Sequence, residues 1–134
     1  MPTIVGDKLV FEETCLPRRV MDLFAGKWTS LILHALNHWP GGKCRTGDLQ
    51  RALPGISKKM LIQTLREVEL RGLVHRRVYN VVPPKVEYEL TPLGHTFAQP
   101  IEMLYQWGEA NKSALDQMEQ HANKTAAAED MQTD

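Results

Sequence analysis

The chain has 134 residues, enough for one compact domain with a modest core. Its 16 Lys/Arg balance its 16 Asp/Glu, which on its face argues against a nucleic-acid partner, but residues 43–85 hold ten of those cations against three acids, Asp48, Glu67 and Glu69. No apolar run is long enough to span a membrane, the opening residues do not resemble a signal peptide, and Cys15 and Cys44 lack CxxC or Cys/His spacing, so a cytoplasmic protein without metal, cofactor or disulfide framework is expected.

Residues 1–14 read as an irregular or weakly ordered arm. Residues 17–25 predict a short helix with Val20, Met21, Leu23 and Phe24 as its apolar positions and Pro17 in its first turn; Gly26 breaks it. A second helix over residues 27–36 carries Trp28, Leu31, Ile32, Ala35 and Leu36 on one broad stripe, which predicts deep burial. The run NHWPGGKCR (37–45) is punctuated by Pro40-Gly41-Gly42 and predicts a loop. Thr46 is then placed to cap a third, short helix ending near Leu53, with Leu49, Ala52 and Leu53 apolar.

The stretch PGISKKMLIQTLREVELRGLV (54–74) organises the rest. Ser57 stands where an N-cap belongs, and Met60, Leu61, Thr64, Leu65 and Val68 recur at helical spacing, so one face is built to pack on a core. The other face carries Lys58, Lys59, Ile62, Gln63 and Arg66, and Gly72 ends the helix. Such a face suits a major-groove reader: cations neutralise phosphates, an amide can pair with an adenine edge, and a branched alkyl can touch a thymine methyl. The tight Leu53-Pro54-Gly55-Ile56 connection makes a helix-turn-helix of this helix and the one before it.

After Gly72 the period changes to two. Residues 73–79 and 85–91 predict a β-hairpin whose Pro83-Pro84 tip cannot pair, and a hairpin directly after a recognition helix is a wing. Arg76, Arg77 and Lys85 lie along it, placed to meet a phosphate backbone, and Arg45 and Ser57 complete the candidate DNA-binding set. Thr91-Pro92 restarts a helix, with Thr as cap and Pro at the first position, and Pro100 is expected to kink or split it. Leu93, Phe97, Ile101, Leu104 and Trp107 follow at helical spacing; part of this face is expected to meet a second copy as a dimerisation helix, the alternative being that it packs on its own domain. The domain is thus expected over residues 15–115, mostly α with a small β-hairpin, an α+β winged helix-turn-helix. Residues 116–134 are polar and predict a fraying helix end and a disordered tail.

Cys15, DLFAGKWTSLIL (22–33), RALPGISKKMLIQTLREVELRGLV (51–74), VPPKVEYELTPLG (82–94) and Pro100 through Trp107-Gly108 together resemble the HxlR-type transcriptional regulators, winged helix-turn-helix proteins related to the MarR group. The resemblance runs in register over about residues 15–108. It implies a homodimer, built by its terminal helices, on a double-stranded and pseudo-palindromic DNA operator. In several members the cysteine at the position of Cys15 senses oxidants or reactive electrophiles, so such a molecule is the implied effector. Here Cys15 is followed by Leu16, Pro17 and Arg18 where the family usually has Pro directly and an acid shortly after, and Ile62 stands where Thr is more typical.

The position of Cys15 just before a helix, with Arg18 and Arg19 within a turn, favours a reactive thiolate, whereas a lone cysteine is most often a small packing residue. Cys44, beside Lys43 and Arg45 in a Gly-rich loop, is the second and weaker sensor candidate. An enzyme is not expected: His34, His38, His75, His95 and His121 read as scattered, without metal or nucleophile–base spacing, and there is no Gly-rich phosphate loop. A winged helix that binds protein instead of DNA is the alternative, but it would need apolar anchors where this chain has Lys58-Lys59, Arg66 and Arg76-Arg77.

Overall fold

The computed structural model describes residues 3–132, so residues 1–2 of the predicted arm and 133–134 of the predicted tail lie outside it. The elements run β1 (Thr3–Val5), β2 (Lys8–Val10), α1 (Leu16–Phe24), α2 (Lys27–His38), β3 (Lys43–Arg45), α3 (Thr46–Ala52), α4 (Lys58–Leu70), β4 (Val74–Tyr79), β5 (Lys85–Leu90), α5 (Pro92–Ala110) and α6 (Lys112–Gln132). The class is α+β, and the order helix, turn, helix, hairpin is that of a winged helix-turn-helix. No helix among the described residues is long and apolar enough to cross a membrane.

The chain divides into two units, Met1–Ala98 and Gln99–Asp134. In the first, the core is centred on Ile32, Leu33 and Leu36 of α2, Leu49 of α3, and Leu61, Leu65 and Val68 of α4. It is closed by a three-stranded antiparallel sheet of order β3-β5-β4, with α2 packed on β5 and on α4, and α4 on β4. Cys44, Val74, Tyr88 and Leu90 are the buried residues of that sheet. Pairing sets Val74 opposite Leu90, Arg76 opposite Tyr88, and Cys44 opposite Tyr88, so these share the helix-packed side.

The helix ends follow local chemistry. The Ser57 hydroxyl accepts from the Met60 N–H at 3.1 Å, the predicted cap. Thr64, the buried polar residue of α4, donates its hydroxyl back to the Met60 carbonyl at 2.8 Å. At the other end Leu73 N–H reaches the Val68 carbonyl and Gly72 N–H the Glu69 carbonyl, each at 2.9 Å, a Schellman close that requires Gly72 at φ +76°. The Thr91 hydroxyl donates to the Gly72 carbonyl at 2.6 Å and accepts from Gly94 N–H at 3.0 Å, which starts α5 where Thr91-Pro92 predicts it. A Cβ on Gly94 would collide with the Leu73 carbonyl oxygen, so only glycine allows the start of α5 to sit against the root of the wing.

Several expectations are corrected. Residues 3–10 form a β-hairpin with Thr3 opposite Val10, because Gly6 at φ +67° lets the chain turn. On α2, Leu33 is buried and Leu31 exposed, with Trp28 and Ala35 half-buried, so the stripe is narrower and rotated from the predicted one. On α1, Val20 and Met21 are exposed and only Leu23 and Phe24 are half-buried. Residues 43–45 pair with β5 as a strand instead of a loop, and Thr46 is the first residue of α3, whose N-cap is Arg45 without a side-chain cap bond. Met60 is 39% exposed, since it lies in the first turn of α4 beyond the reach of the core. Helix α6 continues to residue 132, through the stretch from 116 where a fraying end and a disordered tail were expected, although none of its residues is buried. Their run of Ala, Gln, Glu, Lys and Met is intrinsically helix-favouring, and that local preference requires no buried stripe. Pro100 does not split α5; it lies two residues past the boundary between the units.

Candidate nucleic-acid interface

The face of α4 turned away from the core carries the predicted set. Lys58, Lys59, Ile62, Gln63 and Arg66, with Glu67 and Leu70, fence an open depression of about 680 Å³. Ile62 is half-buried, and the polar side chains around it are exposed. Lys58 and Lys59 occupy the first turn, which contains no acid, although the positive end of the helix dipole favours anions there. Two cations at that end are locally unfavourable and become favourable once an anion arrives, because charge and free N–H groups then act together.

The wing divides the remaining candidates between its two sides. Arg76, opposite Tyr88, lies on the side packed by the helices, and together with Ile62, Arg66 and Glu69 these two line a second hollow of about 330 Å³. Arg45, Arg77 and Lys85 lie on the other side. Register puts Arg45 and Arg77 opposite Glu87, and Lys85 opposite Tyr79. There Arg77 and Lys85 are each paired with a carboxylate. Arg77 Nε donates to Glu89 Oε1 at 2.8 Å, and that carboxylate pushes the guanidinium pKa up further. Lys85 Nζ lies 2.8 Å from Glu87 Oε1 and 4.7 Å above the Tyr79 ring, while the Tyr79 hydroxyl donates to Glu87 Oε2 at 3.2 Å. The Lys85 hydrogen bond is the main cause of a lowered Glu87 pKa.

Sequence reasoning lists all of these in one candidate DNA-binding set; in the structure Lys58, Lys59, Ile62, Gln63, Arg66 and Arg76 border the two hollows, and Arg45, Arg77 and Lys85 lie on the opposite side of the sheet. It also misses Glu69 and Tyr88 as neighbours of Arg76. The signal was available: strand alternation obliges Arg76 and Arg77 to face opposite ways, and apolar Val74 and Leu90 mark the inner side.

Cys15 is half-buried and is the N-cap residue of α1, without a side-chain cap bond. Cys44 lacks the exposure and thiolate character that a sensing thiol uses. It is buried in β3, its Sγ–H donates to the Arg45 carbonyl at 3.3 Å, and burial, aided by Asp48 and Glu87, pushes its pKa up to about 12. A thiol held protonated has little nucleophilicity. The histidines are not all apart: His34 and His38 stand one turn apart on α2, ring centroids 4.6 Å from each other. On α5, Ile101 is already buried within the chain and is not available to a partner, whereas Leu104 is 60% and Trp107 57% exposed. Leu93 is exposed and Phe97 half-buried.

Comparison with known proteins fits this geometry. A family model described as HxlR-like helix-turn-helix matches residues 23–116. The HTH-type transcriptional regulator YkvN of Bacillus subtilis is 49% identical over 87 residues, 65% of this chain and 71% of its own. Among solved structures, a MarR-family transcriptional regulator from Porphyromonas gingivalis is similar with a TM-score of 0.70 at 43% identity, covering 76% of this chain and 97% of that one. The redox regulator HypR in its reduced form is similar with a TM-score of 0.69 at 38% identity, over 77% and 99% of the two chains.

Proposed function

The chain belongs to the HxlR-like helix-turn-helix family of transcriptional regulators, and from that premise we propose that it binds a double-stranded DNA operator as a homodimer, with α4 as the groove-reading helix. The observation that carries this is the division of α4 into a buried face and a face of Lys58, Lys59, Ile62, Gln63 and Arg66. Lys58 and Lys59 meet phosphates at the helix N-terminus, Gln63 reads a base edge, and Ile62 supplies apolar contact to a thymine methyl. The homodimer is supported by apolar surface left open in the chain: Leu104, Tyr105 and Trp107 on α5, and separately Leu9, Phe11, Leu16 and Met21. A two-fold pair would read half-sites about one helical turn apart, or multiples of it, hence a pseudo-palindromic operator.

Selecting bound duplexes from a random DNA pool tests this. Wild type is expected to enrich a two-fold motif, and Gln63→Ala to relax one position of it at a cost of about 1–3 kcal/mol. Leu104→Asp is expected to sediment as a monomer and bind the selected duplex poorly. An unchanged motif in Gln63→Ala would remove α4 from the reading role, and a wild-type monomer at micromolar concentration would remove the dimer.

A switch at Cys15 is the second part of the proposal, favoured by its place at the N-terminus of α1 beside exposed Leu16 and Met21 and by the likeness to HypR, described as a redox regulator. Oxidation or alkylation there would alter a surface that the dimer uses. Operator affinity is expected to change after diamide or a quinone in wild type and not in Cys15→Ser. Equal affinity throughout would leave Cys15 structural.

A further inference from the structure

We propose that the hollow between α4 and β4 is a clamp for one phosphodiester of the DNA backbone, gripped by Arg66 from the helix and Arg76 from the wing. This rests on the DNA-binding reading and specifies which wing cation serves it. The hollow is lined by Ile62, Arg66, Glu69, Arg76 and Tyr88. Tyr88, buried and opposite Arg76 in the register, forms its floor, and Ile62 gives it an apolar wall. The guanidinium fork presents parallel N–H groups that match the oxygens of a phosphate, which a lysine does only as a point charge.

Two features of the lining narrow the ligand. Two guanidinia and the single Glu69 carboxylate leave one net positive charge, which balances a phosphodiester monoanion and not a free phosphate dianion. Among the described residues, moreover, no ion pair occupies Arg66 or Arg76, whereas Arg77 is held by Glu89 and Lys85 by Glu87. A phosphate approaching Arg77 or Lys85 meets a charge already offset by a carboxylate. Arg66 and Arg76 are not paired in this way. On the far side of the hairpin the charges of Arg77 and Lys85 are thus offset by Glu89 and Glu87, and the contribution of the wing to backbone binding resides in Arg76.

The test is the salt dependence of binding to a mixed-sequence DNA duplex long enough for two half-sites, with thermal unfolding as a control for folding. Each phosphate contact contributes about 0.9 to the slope of log affinity against log salt. Because both protomers of the dimer carry the change, Arg66→Ala and Arg76→Ala are each expected to lose most of about two such units, one per half-site. The double variant should lose no more than about two, because within each protomer both side chains serve the same phosphate. Arg76→Lys should keep the slope and lose affinity. Arg77→Ala removes the same charge one residue away and should leave the slope unchanged, and Glu69→Gln should tighten binding.

Equal slope losses for Arg76→Ala and Arg77→Ala would overturn the clamp in favour of diffuse charge. Unchanged slopes in Arg66→Ala and Arg76→Ala, with wild type binding normally, would overturn the clamp and leave the reading by α4 intact. Saturable binding of inorganic phosphate to the protein alone, at constant ionic strength, would overturn the assignment to a diester. Wild type that binds no duplex in a salt-dependent way would remove both the clamp and the reading it rests on.

Discussion

Helix α4 buries Leu61, Thr64, Leu65 and Val68, is capped by Ser57 and closed at Gly72, while α6, with 21 residues against 13, buries none of its residues. The first is held from outside, by the core of its unit; the second is held from within, by the intrinsic preference of Ala, Gln, Glu, Lys and Met for helix and by local bonds such as Thr125 to the His121 carbonyl. A side chain on the inner face of α4 answers to partners distant in sequence, and one in α6 answers to its own turn.

The contrast is most easily broken at the core. Leu65→Ala removes a fully buried side chain and is expected to cost about 2–5 kcal/mol in urea unfolding, with Leu61→Ala similar. Leu115→Ala in α6 is expected to shift the midpoint by less than about 0.5 kcal/mol. A comparable loss at both positions would mean that α6 is as tightly packed as α4.

Alkali should separate the units next. The folded Cys44 thiol keeps its proton to about pH 12, and the unfolded thiol loses it near its ordinary value of 9.0. Between those limits unfolding releases a proton, so the stability from burying the neutral thiol is complete below pH 9.0 and falls as pH rises toward about 12. Other groups titrate there as well, so the measurement is the difference in urea midpoint between wild type and Cys44→Ala across this window. A difference that does not vary with pH would contradict the burial of the thiol.

A smaller effect is expected at the end of α4. Gly72→Ala forces a Cβ into the left-handed region and should cost about 1–2 kcal/mol, read by the same unfolding curves. The smallest belongs to α6. Ala127→Gly should weaken the local helix by about 1 kcal/mol, seen as faster amide exchange around it, while the urea midpoint stays in place.

This contrast also decides what was legible in the sequence. Leu61, Leu65 and Val68 announce themselves by spacing, Ser57 and Thr91-Pro92 by cap chemistry, and the hairpin by alternation, because each signal is written in neighbouring residues. The strand at residues 43–45 is invisible in KCR itself, since its only reason to be extended is pairing with Glu87, Tyr88 and Glu89. The same holds for Arg77 and Lys85: a basic residue in a basic segment reads as a DNA contact until register supplies its carboxylate. Residues 112–132 fail in the opposite way, because the search for an apolar stripe passes over a helix that has none.

The root of the wing has a mechanical consequence. Gly72, Leu73, Thr91 and Gly94 are tied by Thr91 N–H to the Leu73 carbonyl at 3.0 Å, by the two bonds of the Thr91 hydroxyl, and by the contact that excludes a side chain at Gly94. The hairpin between them is an excursion whose two ends are welded at one point. Torque applied to the first turn of α5 therefore reaches the last turn of α4 through a stiff joint, with no slack length of chain in between to absorb it.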